Sequence, residues 1–280
     1  MKIIPIASDS LGIRSMATYI QTRDCNILID PGAAIAEKRY GLFAHKKEKE
    51  KLEEIQKKLK KISEKCGILT ISHYHFDHFS QNKDIYKNKT VFAKDINSYI
   101  NKSQKQRGEE LKQKIQGSCK LIYGDNSKHI FGNTEIFFSK PFYHGPEKTR
   151  LGFVIMTTVK DKDKTIIHSS DVQGPVNIDA TKYIIEKKPD LIILDGPPTF
   201  LLGFRFSYKN LEKASNNLVK IIKNTNSEII LDHHLLRDLR YKEIFSKPYA
   251  MGRKRIKTFA EYLGNENNTL EANRKKLWGK

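Results

Sequence analysis

The sequence predicts an α/β protein in which short strands and amphipathic helices alternate around a sizeable core. Three observations lead there: short apolar runs bounded by turn residues from the start, a lysine- and glutamate-rich segment with helical periodicity, and alternating helix and strand through the C-terminal half. The chain has 280 residues and 38% hydrophobic content. No linker, repeat or shift of composition divides it. The expected organisation is one domain spanning residues 1–280.

Ile3–Ala7, Ala17–Gln21 and Asn26–Ile29 read as strands of an antiparallel start, separated by turn residues at Ser8–Gly12 and Thr22–Asp24. Between Lys46 and Lys65, Leu52, Ile55, Leu59 and Ile62 recur at three- and four-residue intervals among charges, which predicts a helix lying on the domain surface. Ile68–Ser72 is a buried-type strand that ends in a histidine-rich loop. Val91–Ala93 is the next strand, followed by a polar helix to about Gln116. Lys128–Phe131 and Thr134–Ser139 flank Gly132-Asn133 and predict a hairpin. Phe153–Val159 pairs with Lys164–Ser169, after which Ile178–Lys187, Leu191–Asp195, Tyr208–Asn224 and Glu228–Asp232 read as helix, strand, helix, strand. The remaining stretch is expected to be mainly helical.

No apolar run approaches the ~20 residues needed to cross a bilayer, and Asp9 follows the first apolar run too early for a signal peptide, so no membrane association and a cytoplasmic location are expected. Cys25, Cys66 and Cys119 are odd in number and widely spaced, which fits reduced thiols. Lysine and glutamate abundance is a bias of hyperthermophile proteins and points to a thermophilic, archaeal source. The formal charge of +19 favours an anionic substrate, nucleic acid included. Most of that charge is dispersed, and only Arg253, Lys254, Arg255 and Lys257 form a tight cluster. Nothing in the sequence sets the oligomeric state.

The informative segment is Ser72-His73-Tyr74-His75-Phe76-Asp77-His78, placed where an apolar strand ends. Three imidazoles and a carboxylate so close together are costly to bury without partners, and a metal satisfies them all. In an extended loop alternate side chains point the same way, so His73 and His75 can share one ion. Asp77 and His78, after the chain turns, can face a second. Further candidates follow other strands: His144 after Thr134–Ser139, Asp171 after Lys164–Ser169, and His233 or His234 after Glu228–Asp232. Ligands gathered at strand ends give the rigid first shell a metal needs.

This His-x-His-x-Asp-His loop, followed in order by a single His, an Asp and a final His, resembles the metallo-β-lactamase superfamily, most closely its small uncharacterised archaeal members. Leu28-Ile29-Asp30-Pro31-Gly32 is similar to the superfamily's first motif, whose Asp buttresses the metal loop. The resemblance implies a four-layer αββα sandwich with His73, His75 and His144 on a first ion, Asp77, His78 and His233 on a second, and Asp171 bridging them. His233 is preferred over His234 because Leu231-Asp232-His233 with Arg237 resembles the register of tRNA 3′-processing endonucleases of this superfamily. His234 is the alternative ligand. Two divalent ions are implied, zinc by expectation from imidazole and carboxylate ligation, with iron and manganese suited to the same ligands. Arg14 and Ser15 border the site in this fold and are substrate candidates, as is Arg237, while His168 is a candidate for orienting a ligand. His45 and His129 read as surface residues.

The expected function is metal-dependent hydrolysis in which two cations acidify a water between them, Asp77 orienting that water and shuttling its proton. A phosphodiester, including nucleic acid, is the preferred substrate class, on the basic charge and the Arg237 register. The alternatives are hydrolysis of a small-molecule thioester, lactone or amide, and a non-catalytic, metal-stabilised nucleic-acid-binding protein. The helix-strand-helix-strand run between Asp171 and His233 leaves no room for the extra nucleic-acid-binding domain of larger relatives.

Overall fold

Side-chain alternation along the buried strands sets the layers. The computed structural model describes residues 1–162 and 164–280. In chain order its first half holds Lys2–Pro5 (β1), Thr18–Gln21 (β2), Asn26–Ile29 (β3), Lys38–Arg39 (β4), Leu42–Phe43 (β5), Lys46–Ser63 (α1), Ile68–Ile71 (β6), Thr90–Ala93 (β7), Lys102–Ile115 (α2) and Lys120–Tyr123 (β8). Its second half holds Lys128–Phe131 (β9), Thr134–Phe138 (β10), Phe142–Tyr143 (β11), Phe153–Val154 (β12), Thr157–Asp161 (β13), Lys164–His168 (β14), Ile178–Glu186 (α3), Leu191–Asp195 (β15), Tyr208–Asn224 (α4), Glu228–Asp232 (β16) and, after short helical turns, Ile256–Lys257 (β17).

One sheet runs β1-β2-β3-β6-β7-β8 and the other β17-β16-β15-β14-β13-β10-β9. The first is antiparallel from β1 to β3 and parallel from β3 to β8. The second is antiparallel from β9 to β14 and parallel from β14 to β17. In β15, Leu191 and Ile193 face the first sheet, where they meet Ile27, Ile29, Ile68 and Phe92. Ile192 and Leu194 face the other way, against Ala180 and Ile184 of α3 and Ala214 and Leu218 of α4. On the far side, Leu69 and Ile71 of β6 pack with Ile55 and Leu59 of α1 and Leu111 and Ile115 of α2. Helix, sheet, sheet and helix therefore stack as the four αββα layers. The central strands of the parallel stretches, β6, β15 and β16, are covered on both faces and read as nearly continuous apolar runs.

Helix starts are capped by the residues a helix start requires. His45 opens α1 with a reciprocal box: its Nδ1 accepts from the Lys47 N–H, and the Glu48 carboxylate accepts from the His45 N–H. Asn101 and Ser207 cap α2 and α4.

Three sequence expectations are corrected. The strand expected over 153–159 breaks at Ile155–Met156, because the Ile155 N–H leaves the ladder for the Ser72 carbonyl and the Met156 N–H for the Ser139 hydroxyl. His144 follows not the long strand of the hairpin but the short β11, which pairs with β12. The C-terminal stretch forms turns of seven residues or fewer plus the edge strand β17 rather than sustained helix; Pro248, Gly252 and Gly264 interrupt it. The strands β4, β5 and β8 were not evident from the pattern of apolar residues. Among the described residues no helix is long and apolar enough to cross a membrane.

Candidate metal centre

The loop after β6 is held at both ends by one carboxylate. Asp30, buried and in the left-handed region at φ 49°, accepts from the Ser72 N–H (2.8 Å) and hydroxyl (2.6 Å) and lies 2.8 Å from His78 Nδ1. Between these anchors the chain turns, with the His78 N–H donating to the His75 carbonyl. Gly32 packs directly on the backbone of His78 and Phe79, where a Cβ would collide. The loop thus projects His73, His75, Asp77 and His78 toward the edge shared by the two sheets.

The second half of the chain delivers its residues singly to that edge: His144 after β11 of the small β11-β12 pair, and Asp171 after β14 and His233 directly after β16 of the second sheet. Asp171 lies between two groups. One of its oxygens is 3.0 Å from His144 Nε2 and 3.5 Å from His73 Nε2; the other is 3.1 Å from His78 Nε2 and 3.5 Å from His233 Nε2. His75 Nδ1 lies 3.0 Å from His73 Nε2, and Asp77 lies 3.6 Å from His233 Nε2. His73, His75, His144 and Asp171 therefore form one cluster of donor atoms, and Asp77, His78 and His233 a second.

Electrostatics divides these clusters. Burial pushes His75 down to about 3 and His73 well below the usual imidazole range, so both are neutral, the state a metal ligand requires. Burial also opposes charge on His78 and His233, but Asp171 outweighs it in each, helped by Asp30 for His78 and Asp9 for His233. His78 rises well above its ordinary value and His233 to about 10. Burial works against ionisation of Asp171 and Asp77 as well, yet the imidazoles around both, and Arg237 beside Asp77, hold the two carboxyls well below the usual range.

The residues fit a divalent cation. Both ring nitrogens of His144, His78 Nε2 and Asp171 Oδ1 are buried with no hydrogen-bond partner among the described residues; the short nitrogen–oxygen approaches are out of line for hydrogen bonds. Such orphans cost ~1–3 kcal/mol each unless something binds them. Donors ~2.0–2.2 Å from a common tetrahedral ion sit roughly 3.3–3.6 Å from one another, close to the spacings here.

The structure separates the two adjacent histidines. His233 is fully buried at φ 59°, a left-handed value that costs a non-glycine residue ~1–2 kcal/mol, and its Nδ1 lies 2.9 Å from Asp9. His234 is partly exposed, with Nδ1 3.0 Å from both oxygens of Asp195. Its ring also faces the edge, within donor reach of Asp171 and His233 but outside the cluster with Asp77 and His78. Asp9 and Asp195, which orient the two rings, were missed in the sequence. The available signal was position, since each follows or ends an apolar strand as the other site residues do.

The outer candidates divide. Arg237 is buried at the centre, donating to Asp9 (2.9 Å) and lying 3.4 Å from Asp77. Arg14 is engaged by Glu271 in a two-pronged pair at 2.5 and 2.6 Å, and the Ser15 hydroxyl donates to the Gly32 carbonyl, so both brace the wall of the site. His168 Nε2 meets the Met16 carbonyl rather than a clustered residue. His129 packs at a tilt against Phe92, away from the clustered residues. In the basic cluster, Arg255 donates to the carbonyls of Ile222, Thr225 and Ser227, and Lys257 pairs with Glu228.

Comparison with known proteins agrees with this geometry. The profile of the metallo-beta-lactamase superfamily matches residues 12–94, the segment that contains Asp30 and the histidine loop. A UPF0282 protein of Methanocaldococcus jannaschii is 44% identical over 290 residues, covering 99% of this chain and 96% of its own. Among solved structures, a possible metal-dependent hydrolase from Veillonella parvula superposes with a TM-score of 0.59 at 13% identity, over 88% of this chain and 94% of its own. An isothiocyanate hydrolase from Delia radicum gut bacteria does so with 0.56 at 17% identity, over the same shares. At these identities the two structures share the fold. Motif, sheet order and full-length sequence similarity converge: the chain belongs to the archaeal UPF0282 family, within the metallo-β-lactamase superfamily.

Proposed function

We propose that this chain, acting as a single domain, is a dinuclear metal-dependent hydrolase whose substrate is a phosphodiester. The observation that carries the reading is Asp171, whose two oxygens each face a separate group of imidazoles. In this reading His73, His75 and His144 would hold one ion and Asp77, His78 and His233 the other, with Asp171 facing both sets and zinc the metal of choice for such ligands. Bound there, two cations supply Lewis-acid polarisation of the scissile group and an acidified water.

The chain's own residues do the rest. Asp77 stays ionised beside Arg237 and can accept a hydrogen bond from the attacking water, fixing its direction. A carboxyl held so low keeps a transferred proton poorly, so Asp77 orients rather than stores. Asp9 holds His233 and Arg237 in place, fixing the direction of the His233 ring. The net charge of +19 favours an anionic substrate.

The test is a screen of zinc-, manganese- and iron-loaded protein against generic phosphodiester, thioester, lactone and β-lactam substrates. Metal-dependent turnover of the phosphodiester, lost on chelation, is expected. Turnover confined to a thioester or lactone would replace the substrate class, and failure to bind any metal would end the reading.

A further inference from the structure

Tyr99 is held firmly although its ring stands in solvent. Its backbone is left-handed at φ 46°, a conformation bulky residues rarely take, and the residue is 65% exposed. The loop 94–101 that carries it is braced from within. Lys94, fully buried, pairs with Asp125 at 2.6 Å and donates to the carbonyls of Asp95 and Ser98 at 2.9 and 2.8 Å. The strand this loop leaves, β7, runs parallel to β6, so it emerges on the same edge as the histidine loop.

The Tyr99 ring meets Phe153 edge-on with centroids 5.5 Å apart, and Phe153 stacks at 4.7 Å on Tyr143, its partner across β11 and β12. These three rings wall a cleft of about 260 Å³, whose polar side is formed by Lys140, Asn177 and Asp179. Tyr143 directly precedes His144, and the His144 N–H donates to the carbonyl of Gly152, the residue before Phe153. The ribbon that walls the cleft therefore also presents a clustered histidine. Gln104 ties it to the histidine loop, accepting from the Tyr74 N–H and donating to the Leu151 carbonyl.

An exposed ring on strained backbone contributes little to the core, because burial is what stabilises an aromatic side chain. What it offers is an open π-face. Flat rings stack on such faces, and Lys140, Asn177 and Asp179 add donors and an acceptor that a purely hydrocarbon group would leave unpaired. A nucleobase has both the flat ring and the mixed polar edge. We propose that this cleft takes an unpaired nucleobase of the substrate, so that the phosphodiester reaching the clustered residues belongs to a single nucleic-acid strand. This rests on the phosphodiester reading above for its chemistry but makes a separate claim about binding.

The test is calorimetric titration of the zinc-loaded protein with a short single-stranded deoxyadenosine oligonucleotide and with an abasic strand of the same length and backbone, alongside turnover of both. Wild type is expected to bind the base-bearing strand about ten-fold more tightly or better, as stacking of one base on an aromatic ring allows. Tyr99→Ala should lose most of that preference, whereas Tyr99→Phe should keep it, because the ring and not the hydroxyl supplies the face. Phe153→Leu, which retains an apolar contact while removing a ring, guards against a Tyr99 variant that fails to fold and should also narrow the preference. Phe204→Ala, which removes an exposed ring that does not line the cleft, should leave it intact. Equal binding of both strands by wild type, full preference in a folded Tyr99→Ala, or an equal loss in Phe204→Ala overturns the proposal. Tyr99-dependent preference without turnover of either strand would sink the phosphodiester reading and leave this one standing, and turnover without any preference would do the reverse.

Discussion

The two halves of the molecule build the same site by opposite means. The first half supplies four of the seven clustered side chains from six consecutive positions, on one loop pinned at both ends by Asp30. The second supplies His144, Asp171 and His233 from three separate strand ends; the spacing of Asp171 and His233 depends on the register of β14 to β16, and His144 is placed by the separate β11-β12 pair. A contiguous loop is assembled by local chemistry, whereas a dispersed set is assembled only when the sheet is. The loop half should therefore fail when one anchor is lost, and the other half when the tertiary frame is disturbed.

Asp171 joins the halves, and its loss should have the largest effect. Asp171→Ala should lower bound metal from two ions to one or none per chain and reduce hydrolysis by roughly a thousand-fold or more, since the cations supply several kcal/mol of transition-state stabilisation. Elemental analysis beside kinetics checks both. Retention of two ions by the variant would mean that each half closes its own site.

Comparing Asp30 with Asp9 tests how each half is held. Asp30→Ala leaves the Ser72 N–H and His78 Nδ1 without partners, at ~1–3 kcal/mol each, and should lower the melting temperature on the order of 5–15 °C while emptying both metal positions. Asp9→Asn should weaken only the ion served by His233. Equal metal loss in the two variants would erase the distinction.

The adjacent histidines sharpen the same point at one strand end. His233→Ala should lose one ion, while His234→Ala, whose ring is tied back by Asp195, should keep both and change turnover less. The reverse outcome would make His234 the ligand.

Acidity should separate the two groups of ligands. His73 and His75 are neutral before metal arrives, but His78 and His233 carry protons that a cation must displace. Metal content measured after dialysis from pH 5 to 9 should rise from about one ion toward two. Simultaneous loss of both ions on acidification would contradict this. In chelated protein the sign reverses. His233 is raised in the fold, so its protonated form stabilises below about pH 6.5, and that contribution fades as pH rises toward about 10.

The smallest effect is expected from the basic cluster. Neutralising Arg253, Lys254, Arg255 and Lys257 together should leave metal content unchanged and weaken nucleic-acid binding only slightly, because Arg255 and Lys257 already serve the fold. Filter binding at two salt concentrations checks this. A steep loss of the salt dependence would make the cluster a binding surface.

This contrast also governs what could be read from the amino acids. The loop was legible because its chemistry is local: His73 to His78 follow an apolar strand and are too dense to be packing residues. The alternation of strand and helix was legible because β6, β15 and β16 are continuous apolar runs between helical stripes, whereas the stacking into four layers came from the resemblance the loop carries. Asp9 and Asp195 were not legible, since each acquires its role from a residue far along the chain: Asp9 from His233 and Asp195 from His234. The break at Ile155 was hidden for the same reason, its partner being the Ser72 carbonyl on the other sheet. Arg14 was noticed by position, but its partner Glu271 lies near the other end of the sequence.

Asp232, beside His233, accepts from the backbone N–H of Ser10 with one oxygen and from that of Phe259 with the other. Ser10 in turn bonds Ala260 and Asn268. The brace behind the final histidine is therefore made of the earliest and latest parts of the chain. During synthesis, at ~5–20 residues per second, every clustered side chain has been made before the segment that steadies the last of them exists. On the two-ion reading this brace completes the second position, and trimming residues 258–280 should weaken it without removing a single ligand.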